Sequence, residues 1–262
     1  MYDQQEVMTI PLYWWKDKPN FGDLLSPIIV SHLAQKPVRF STSPGKLLAV
    51  GSILGFAARD NDLIWGSGML WPARLPKMLH VAAVRGPKTR EVLLRQGIDC
   101  PAVYGDPAWL MPQIYNPKIE KQHKIAVLPH HSDKWLKRLG TENNVKLLSA
   151  CTSPFEVING ILAAERLVTS SLHGLIIAET YGISAVLLRD RNQRWENHFK
   201  FADYFQSTGR MDHTLWNVSI EEAVKNIPKI PKPEPIDTEK LVAAFPLELC
   251  QHLLSQTTVH KN

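Results

Sequence analysis

Short apolar runs alternate with segments of helical periodicity along most of this chain. Runs typical of buried β-strands start at positions 8, 47, 63, 80, 102, 124, 145, 167 and 184, and most end in a glycine or a polar side chain. Helical patterns lie between them, the clearest at residues 24–33, 154–164 and 199–205. Strands that alternate with helices favour parallel pairing, because each helix carries the chain back across the sheet. The sequence therefore predicts an α/β fold with parallel sheets.

A polar break divides this pattern into two halves. Residues 112–124 hold two prolines and three lysines, as is common at domain boundaries. We therefore predict an N-terminal lobe over residues 1–117 and a C-terminal lobe over residues 118–235. Four prolines in residues 227–235 indicate a linker, and residues 236–262 are expected to form a helical tail that packs back on the first lobe.

One segment of the second lobe combines a strand, a turn and a buried helix. Ser171 is a preferred helix cap, and Gly182 suits the position just past a helix end. This spacing places His173 at the second helical position. There the free N–H groups and the helix dipole attract an anion, and Gly174 permits close approach. The alternative is an ordinary core histidine in an α/β helix.

Polar and glycine residues recur at the carboxyl ends of the predicted strands. Parallel sheets bind ligands outside these ends, so such residues are expected to face one cleft. They are Asn20, Gly51, Gly66, Arg85, Asp106, His130 and His173. Plain turns are the alternative, with Asp23 as a helix cap. In either case Pro27 is expected in the first turn of the helix that follows. His130 and His131 lack a third ligand at a recognisable spacing, so no metal site is predicted.

A cationic residue, Arg85, directly follows the strand that starts at position 80, and Pro87 suits the first turn of the next helix. A guanidinium at this place is suited to bidentate binding of a carboxylate or phosphate, with Lys88 or Arg90 in support. The alternative is that Lys88 and Arg90 are solvated charges on a helix face.

Composition narrows the class of protein. The chain has 262 residues, 44% hydrophobic and 21% charged, as in soluble globular proteins. No apolar run reaches the length of about 18 residues that a membrane span needs. The net charge of +5 favours anionic ligands, but Lys and Arg are dispersed, so no nucleic-acid partner is predicted. Cys100, Cys151 and Cys250 show no metal or disulfide spacing and no signal peptide is visible, so we expect a cytoplasmic protein.

The strand-end motifs, in their order and spacing, resemble those of the polysaccharide pyruvyl transferase family, in particular the short branch of ketal pyruvate transferases such as that of xanthan biosynthesis. The resemblance covers about residues 20–210 and rests on segments 20–23, 51–52, 65–68, 84–89, 104–107, 170–175 and 208–210. It implies two Rossmann-like lobes of the glycosyltransferase-B type with the active site between them. It also implies phosphoenolpyruvate as donor, a sugar diol as acceptor, and no cofactor.

The resemblance implies roles for individual residues. His173 is expected to be the leading general acid or base, with Asp106, Asp23 and His130 as candidates for deprotonating the acceptor. A helix N-terminus lowers the pKa of a histidine and a bound dianion raises it, so the pKa of His173 is expected near neutrality. The predicted substrate-binding residues are Arg85, Ser171, Leu172, Gly174, Asn20, Gly51, Ser52, Gly66, Ser67, Lys88, Arg189 and Arg210.

Ser171 departs from the pattern of many family members, in which an arginine at this position helps to bind the donor. A serine hydroxyl cannot supply that positive charge. Arg85 is therefore the first choice for the donor's cation, and Arg189, Arg191 and Arg210 are the substitutes.

The implied activity moves the enolpyruvyl group of phosphoenolpyruvate onto a sugar diol of an exopolysaccharide or capsule repeat unit, forming a ketal and releasing phosphate. A lipid-linked acceptor would bring the protein to the inner face of the cytoplasmic membrane, where the aromatic residues around Trp195 suit peripheral contact. Two alternatives stay open. One is a nucleotide-sugar-dependent glycosyltransferase on a similar fold, and the other is a non-catalytic sugar-binding subunit of a polysaccharide-assembly machine.

Overall fold

Two parallel sheets organise the protein in the computed structural model, which describes residues 9–130, 145–188, 198–210 and 232–250. This arrangement confirms the predicted α/β class and is compatible with Rossmann-like lobes. Within these ranges no helix is both long enough and apolar enough to cross a bilayer.

The first sheet has five strands in the order β2-β1-β3-β4-β5, all parallel. The strands are β1 Ile10–Tyr13, β2 Val38–Phe40, β3 Leu47–Leu48, β4 Asp62–Trp65 and β5 Leu79–Ala83. The helices of this lobe are α1 Phe21–Ala34, α2 Leu54–Ala57, α3 Pro87–Arg95 and, after a 3-10 turn at Pro107–Leu110, α4 Met111–Ile114. Adjacent residues such as Leu47 and Leu48 enter separate apolar clusters, because successive side chains of a strand point to opposite faces. Both faces of this sheet are therefore covered.

The second sheet has four strands in the order β7-β6-β8-β9, also parallel throughout. The strands are β6 His123–Leu128, β7 Val145–Leu147, β8 Ala164–Thr169 and β9 Ser184–Leu187. The accompanying helices are α5 Pro154–Leu162, α6 Leu172–Thr180, α7 His198–Ser207 and α8 Glu239–Ala243. Helix α6 is buried over almost its whole length, so it is apolar on all sides rather than amphipathic.

The two sheets share one apolar core cluster that reaches from β1 to β9. At its edge the backbone N–H of Phe21 donates to the carbonyl of Ala150 at 2.8 Å, which ties the start of α1 to the second lobe. The Trp65 indole N–H donates to the carbonyl of Leu241 at 2.8 Å, so α8 contacts the first sheet.

The structure differs from the sequence prediction at three places. Strand β2 was not predicted, because it is a three-residue edge strand with an exposed Arg39 and no clear apolar pattern. The strand predicted from position 102 is only a parallel bridge between Tyr104 and Val84. Pro27 lies inside α1 beyond its first turn, because Asn20 caps the helix and α1 therefore starts earlier than Asp23.

Candidate active site

The first turn of α6 is fixed by short polar side chains at the carboxyl end of β8. Ser171 caps α6, as predicted, and its Oγ accepts a hydrogen bond from the Gly174 N–H at 3.3 Å. Thr169 Oγ1 accepts from the Ser171 N–H at 3.0 Å and donates to the carbonyl of Leu128 at 2.7 Å. A Cβ on Gly174 would lie 2.6 Å from Thr169 Oγ1, so this turn requires glycine. These contacts hold His173 at the second helical position.

The N-terminus of α1, in the other lobe, lies against the imidazole of His173. Asn20 caps α1: its Oδ1 accepts from the Gly22 N–H at 3.2 Å, and its Nδ2 donates to Asp23 Oδ2 at 2.6 Å. A Cβ built on Gly22 would come within 2.1 Å of His173 Nδ1. Only a glycine lets the first lobe approach the ring this closely.

Asp106 lies between α3 and the 3-10 turn and also faces His173. Its Oδ1 accepts from the Ala108 N–H at 3.0 Å and caps the 3-10 turn. Its Oδ2 lies 3.8 Å from His173 Nε2, which is too far for a hydrogen bond. Both atoms are buried, and neither has a hydrogen-bond partner among the residues of the described ranges. Buried polar atoms without partners are costly, so this pair has hydrogen-bonding capacity that a bound molecule can use.

Burial raises the pKa values of the two aspartates toward neutrality. The pKa of Asp23 rises to about 7, although the hydrogen bond from Asn20 and the charge of Lys200 act in the opposite direction. The pKa of Asp106 rises to about 6, again through burial, while the charge of Arg85 opposes the rise. Near neutral pH both protonation states of Asp23 are therefore populated, as proton transfer requires.

His173 responds to burial in the opposite sense. Burial lowers its pKa to about 3, and the positive charges of Arg85 and Lys200 lower it further. The ring without a ligand is therefore neutral at physiological pH, and it becomes an effective base only when a bound anion raises this pKa. The expected pKa near neutrality presupposes a bound dianion, so it stays a prediction.

Lys200 is not among the residues predicted from the sequence, although its charge acts on both Asp23 and His173. This residue is only 7% exposed on α7. The signal was present in the sequence, since Lys200 and Asp203 interrupt a run of aromatic residues and are three positions apart. On a helix such positions share a face, and two charges on an otherwise apolar face indicate a buried polar site.

Arg85 lies just past the carboxyl end of β5, as predicted, but its guanidinium is fully buried and bound by the protein. Nε donates to Asp203 Oδ2 at 3.2 Å, Nη2 donates to the carbonyl of Met69 at 2.9 Å, and Nη1 donates to the Ser52 hydroxyl. Gly68 packs against the guanidinium, where a Cβ would lie 2.4 Å from Cζ. Since all three nitrogens are engaged, a direct contact between Arg85 and a donor stays a prediction.

The predicted glycine turns pack beside these groups. Ser67 Oγ donates to the carbonyl of Gly51 at 3.1 Å, and a Cβ on Gly51 would lie 3.2 Å from Asp23 Oδ1. Gly66 has a positive φ of 81°, and a Cβ there would come within 2.4 Å of Pro107 Cδ. These turns bring the loops of the first lobe close to Asp23 and Asp106.

The remaining predicted residues make other contacts or lie outside the described residues. Arg210 binds Glu179 through both terminal nitrogens, at 2.7 and 2.9 Å, at the opposite end of α6 from His173. Lys88 Nζ lies 5.9 Å from the centre of the Phe199 ring. Leu172 is the buried first residue of α6, and the His130 N–H donates to Ser170 Oγ at 2.9 Å. Arg189, Arg191, Trp195 and His131 lie outside the described residues.

The side chains of this cluster suit proton transfer. The buried imidazole lies 3.8 Å from the carboxyl of Asp106. The pKa values of Asp106 and Asp23 are raised to about 6 and 7, so both carboxyl groups can take up or release protons near neutral pH. In the parts of the chain that the structure describes, no group of three or more His, Cys, Asp or Glu side chains is placed to hold a metal ion.

Comparison with known proteins adds independent information. The family model for polysaccharide pyruvyl transferases matches residues 20–191, a range that contains Asn20, Asp23, Arg85, Asp106 and His173. The uncharacterized protein L143 of Acanthamoeba polyphaga mimivirus is 28% identical over 172 residues. The match covers 61% of this chain and 59% of the viral protein. No solved structure matches the chain.

Proposed function

The chain belongs to the polysaccharide pyruvyl transferase family, and we propose that it transfers the enolpyruvyl group of phosphoenolpyruvate to a sugar diol. The product is a cyclic pyruvate ketal, and phosphate is released. The observation that carries the proposal is the buried cluster of His173, Asp106 and Asp23. It lies inside the range that the family model matches, and helix N-termini of both lobes contribute to it.

The site has the features that an anionic donor requires. Phosphoenolpyruvate carries a carboxylate and a phosphate, and both are stabilised by positive charge and by free N–H groups at a helix N-terminus. His173 lies in the first turn of α6, and the buried Lys200 places a positive charge near the same ring. We assign the donor to the space between the two lobes next to His173, in an arrangement like that of glycosyltransferase-B enzymes.

The reaction needs one proton on the donor's methylene carbon and the loss of two hydroxyl protons from the acceptor. We assign the first step to Asp23, whose protonated carboxyl donates to the methylene carbon while a sugar oxygen bonds to the central carbon. His173 takes the proton of that hydroxyl. It then passes the proton to the leaving phosphate as the bond between the central carbon and the phosphate oxygen breaks.

The second hydroxyl attacks the same carbon and closes the ketal ring, and its proton restores the acid form of Asp23. In sum, one hydroxyl proton ends on the new methyl group and the other on phosphate, so charge and atoms balance. Asp106 lies 3.8 Å from His173 Nε2 and stabilises the imidazolium that forms between the two steps.

The acceptor is proposed to be a repeat unit of an exopolysaccharide or capsule, carried on a lipid. Such a substrate would place the reaction at the inner face of the cytoplasmic membrane. Neither the lipid nor the rest of the repeat unit is needed for the chemistry of the cluster, so a soluble glycoside with a suitable diol is expected to react as well.

The test is to incubate the protein with phosphoenolpyruvate and a panel of synthetic and lipid-linked glycosides. Phosphate release is measured together with the product mass. We expect phosphate release only with an acceptor, and a product whose mass equals acceptor plus donor minus phosphoric acid. A thermal shift with nucleotide sugars but none with phosphoenolpyruvate would instead indicate a glycosyltransferase. Glycoside binding without any phosphate release would indicate a non-catalytic sugar-binding subunit.

A further inference from the structure

We infer that Asp203 is a positioning residue, which pairs with Arg85 across the two lobes and so holds α7 with Lys200 directed at the donor site. Its kinetic consequences rest on the proposed function, whereas its structural basis does not. On this inference Arg85 acts on the donor through Asp203 and α7.

Asp203 is held by three hydrogen bonds from the first lobe. It accepts from Arg85 Nε at 3.2 Å, from the Thr89 N–H at 2.9 Å and from the Thr89 hydroxyl at 2.7 Å. All three residues are completely buried. Hydrogen bonds that involve a charged group are stronger than neutral ones, and burial protects them from solvent. This is therefore a firm attachment of α7 to the other lobe.

The backbone geometry strengthens the same attachment. A Cβ on Gly86 would lie 2.0 Å from the Asp203 carbonyl oxygen and 2.6 Å from its Oδ1, so the two segments are in direct contact. Gly86 immediately precedes α3, and a carboxylate at a helix N-terminus is favoured by the helix dipole. These contacts hold α7 against the N-terminus of α3.

Lys200 lies three residues before Asp203, so the two side chains share one face of α7. The carboxylate binds the first lobe, and the ammonium group places its charge near Asp23 and His173. A change at Asp203 that lets α7 move will therefore move the ammonium group as well. This coupling makes Asp203 a determinant of donor binding although it does not reach the donor.

The first lobe provides a matched control in Asp62. Its carboxylate is also fully buried and accepts from the Lys46 N–H at 3.1 Å, Lys46 Nζ at 2.6 Å and the Arg59 N–H at 2.7 Å. Asp62 opens β4 at the amino edge of the first sheet, so it does not contact the cluster at the carboxyl edge. A variant at Asp62 tests the loss of a buried ion pair without the loss of α7 placement.

The kinetic test compares Asp203→Asn with Asp62→Asn at a temperature where both are folded. We expect the KM for phosphoenolpyruvate to rise about tenfold in Asp203→Asn, with a smaller fall in kcat, and to change less than about twofold in Asp62→Asn. The double variant Arg85→Lys with Asp203→Asn should be no worse than the worse single variant, because both act through one contact. Additive effects, or a donor KM that Asp203→Asn leaves unchanged, would overturn the inference.

A second measurement needs no substrate and so separates this inference from the proposed function. The Asp23 carboxyl is titrated by NMR between about pH 5 and pH 9, with Asp23→Asn for assignment. Lys200 lowers the pKa of Asp23, so Asp203→Asn and Lys200→Met are both expected to raise it and Asp62→Asn to leave it unchanged. If Asp203→Asn does not fold, Thr89→Val removes one hydrogen bond and should shift the pKa in the same direction by less. An unchanged pKa in the folded variant refutes the inference, whereas a wild-type protein inert toward phosphoenolpyruvate refutes only the function.

Discussion

Two buried polar clusters lie close together in this protein, and they differ in how fully their atoms are bonded. In the first cluster, formed by Arg85, Asp203 and Thr89, the buried donors and acceptors are hydrogen-bonded within the protein. The pair formed by Asp106 and His173 leaves one buried atom of each residue without a partner in the described part of the chain. Folding alone explains the first cluster, because satisfied buried charges stabilise a fixed arrangement of the lobes. Folding alone does not explain the second cluster, in which the two buried atoms without hydrogen-bond partners are suited to bind a ligand.

The electrostatics show the same contrast. Within the second cluster burial keeps His173 neutral and moves the pKa of Asp106 to about 6. Buried groups with shifted pKa values are candidates for a functional site. Changes in the cluster of Arg85, Asp203 and Thr89 are expected to affect mainly stability and the placement of α7. Changes in the reactive cluster are expected to affect mainly catalysis.

The largest effect is expected from Arg85→Met. This change leaves the Asp203 carboxylate buried without its charged partner, which typically costs about 3–5 kcal/mol. Unfolding by urea should show a loss of this size in the free energy of unfolding. Asp106→Asn is the comparison in the other cluster, and we expect it to change stability by less than about 1 kcal/mol. Equal losses in both variants would remove the distinction between the clusters.

His173→Gln tests the reactive cluster directly. We expect kcat for phosphate release to fall by about 10²–10³-fold, since glutamine can occupy the space but cannot accept a proton. Stability should stay close to that of the wild type, because Nε2 of the buried ring makes no hydrogen bond to any described residue. His32→Gln, at an exposed position of α1, is the control. Undiminished turnover in His173→Gln would refute the assigned role.

Asp23→Asn is expected to stabilise the protein at high pH while lowering activity. The folded-state pKa of Asp23 is raised from 3.8 to about 7, so the unfolded chain loses this proton at a lower pH. The free energy of unfolding of the wild type therefore falls as pH rises from about 4 to about 7. The asparagine side chain does not titrate, so the variant does not lose stability in this way. We expect its free energy of unfolding to exceed that of the wild type by about 1–2 kcal/mol at pH 8 and to be almost the same near pH 4. Urea unfolding across this range measures it, with exposed Asp99→Asn as the control.

The smallest effect is expected from Ser171→Ala, which removes the cap of α6. Loss of a serine cap typically costs about 1 kcal/mol. Ser171→Asp should restore this stability, because aspartate is an equally good cap. It also adds negative charge beside the proposed donor site, so the KM for phosphoenolpyruvate should rise. A restored cap with unchanged donor affinity would place the donor away from the N-terminus of α6.

Local signals were sufficient for much of the fold and for part of the site. Apolar runs ending in glycine predicted the parallel sheets, and Ser171 and Gly182 correctly bounded α6. The rule that ligands bind at the carboxyl ends of parallel strands predicts that Asp106 and His173 face one cleft, and their side chains lie 3.8 Å apart. These features depend on residues close to one another in the chain or on the regular geometry of a sheet.

The remaining features depend on contacts between distant residues. The partner of Arg85 lies 118 positions away, and no local pattern shows that Asp203 occupies the guanidinium. The direction of Lys200 is likewise set by the packing of α7 on α3. The closeness of Gly22 to the ring of His173 follows from the way the lobes dock. Such contacts are tertiary, and a single sequence does not contain them explicitly.

The contact between Gly22 and His173 limits how this protein can be recombined. The first lobe carries Asp23 and Asp106 of the candidate site, and the second lobe carries His173. The contact between the lobes leaves no room for a methyl group at Gly22. In a chimera that takes one lobe from a relative, the site residues of the two lobes would therefore not fit together, even if both lobes fold correctly. Exchange of whole lobes is therefore expected to disrupt this site, whereas replacement of loops away from the contact between Gly22 and His173 should preserve it.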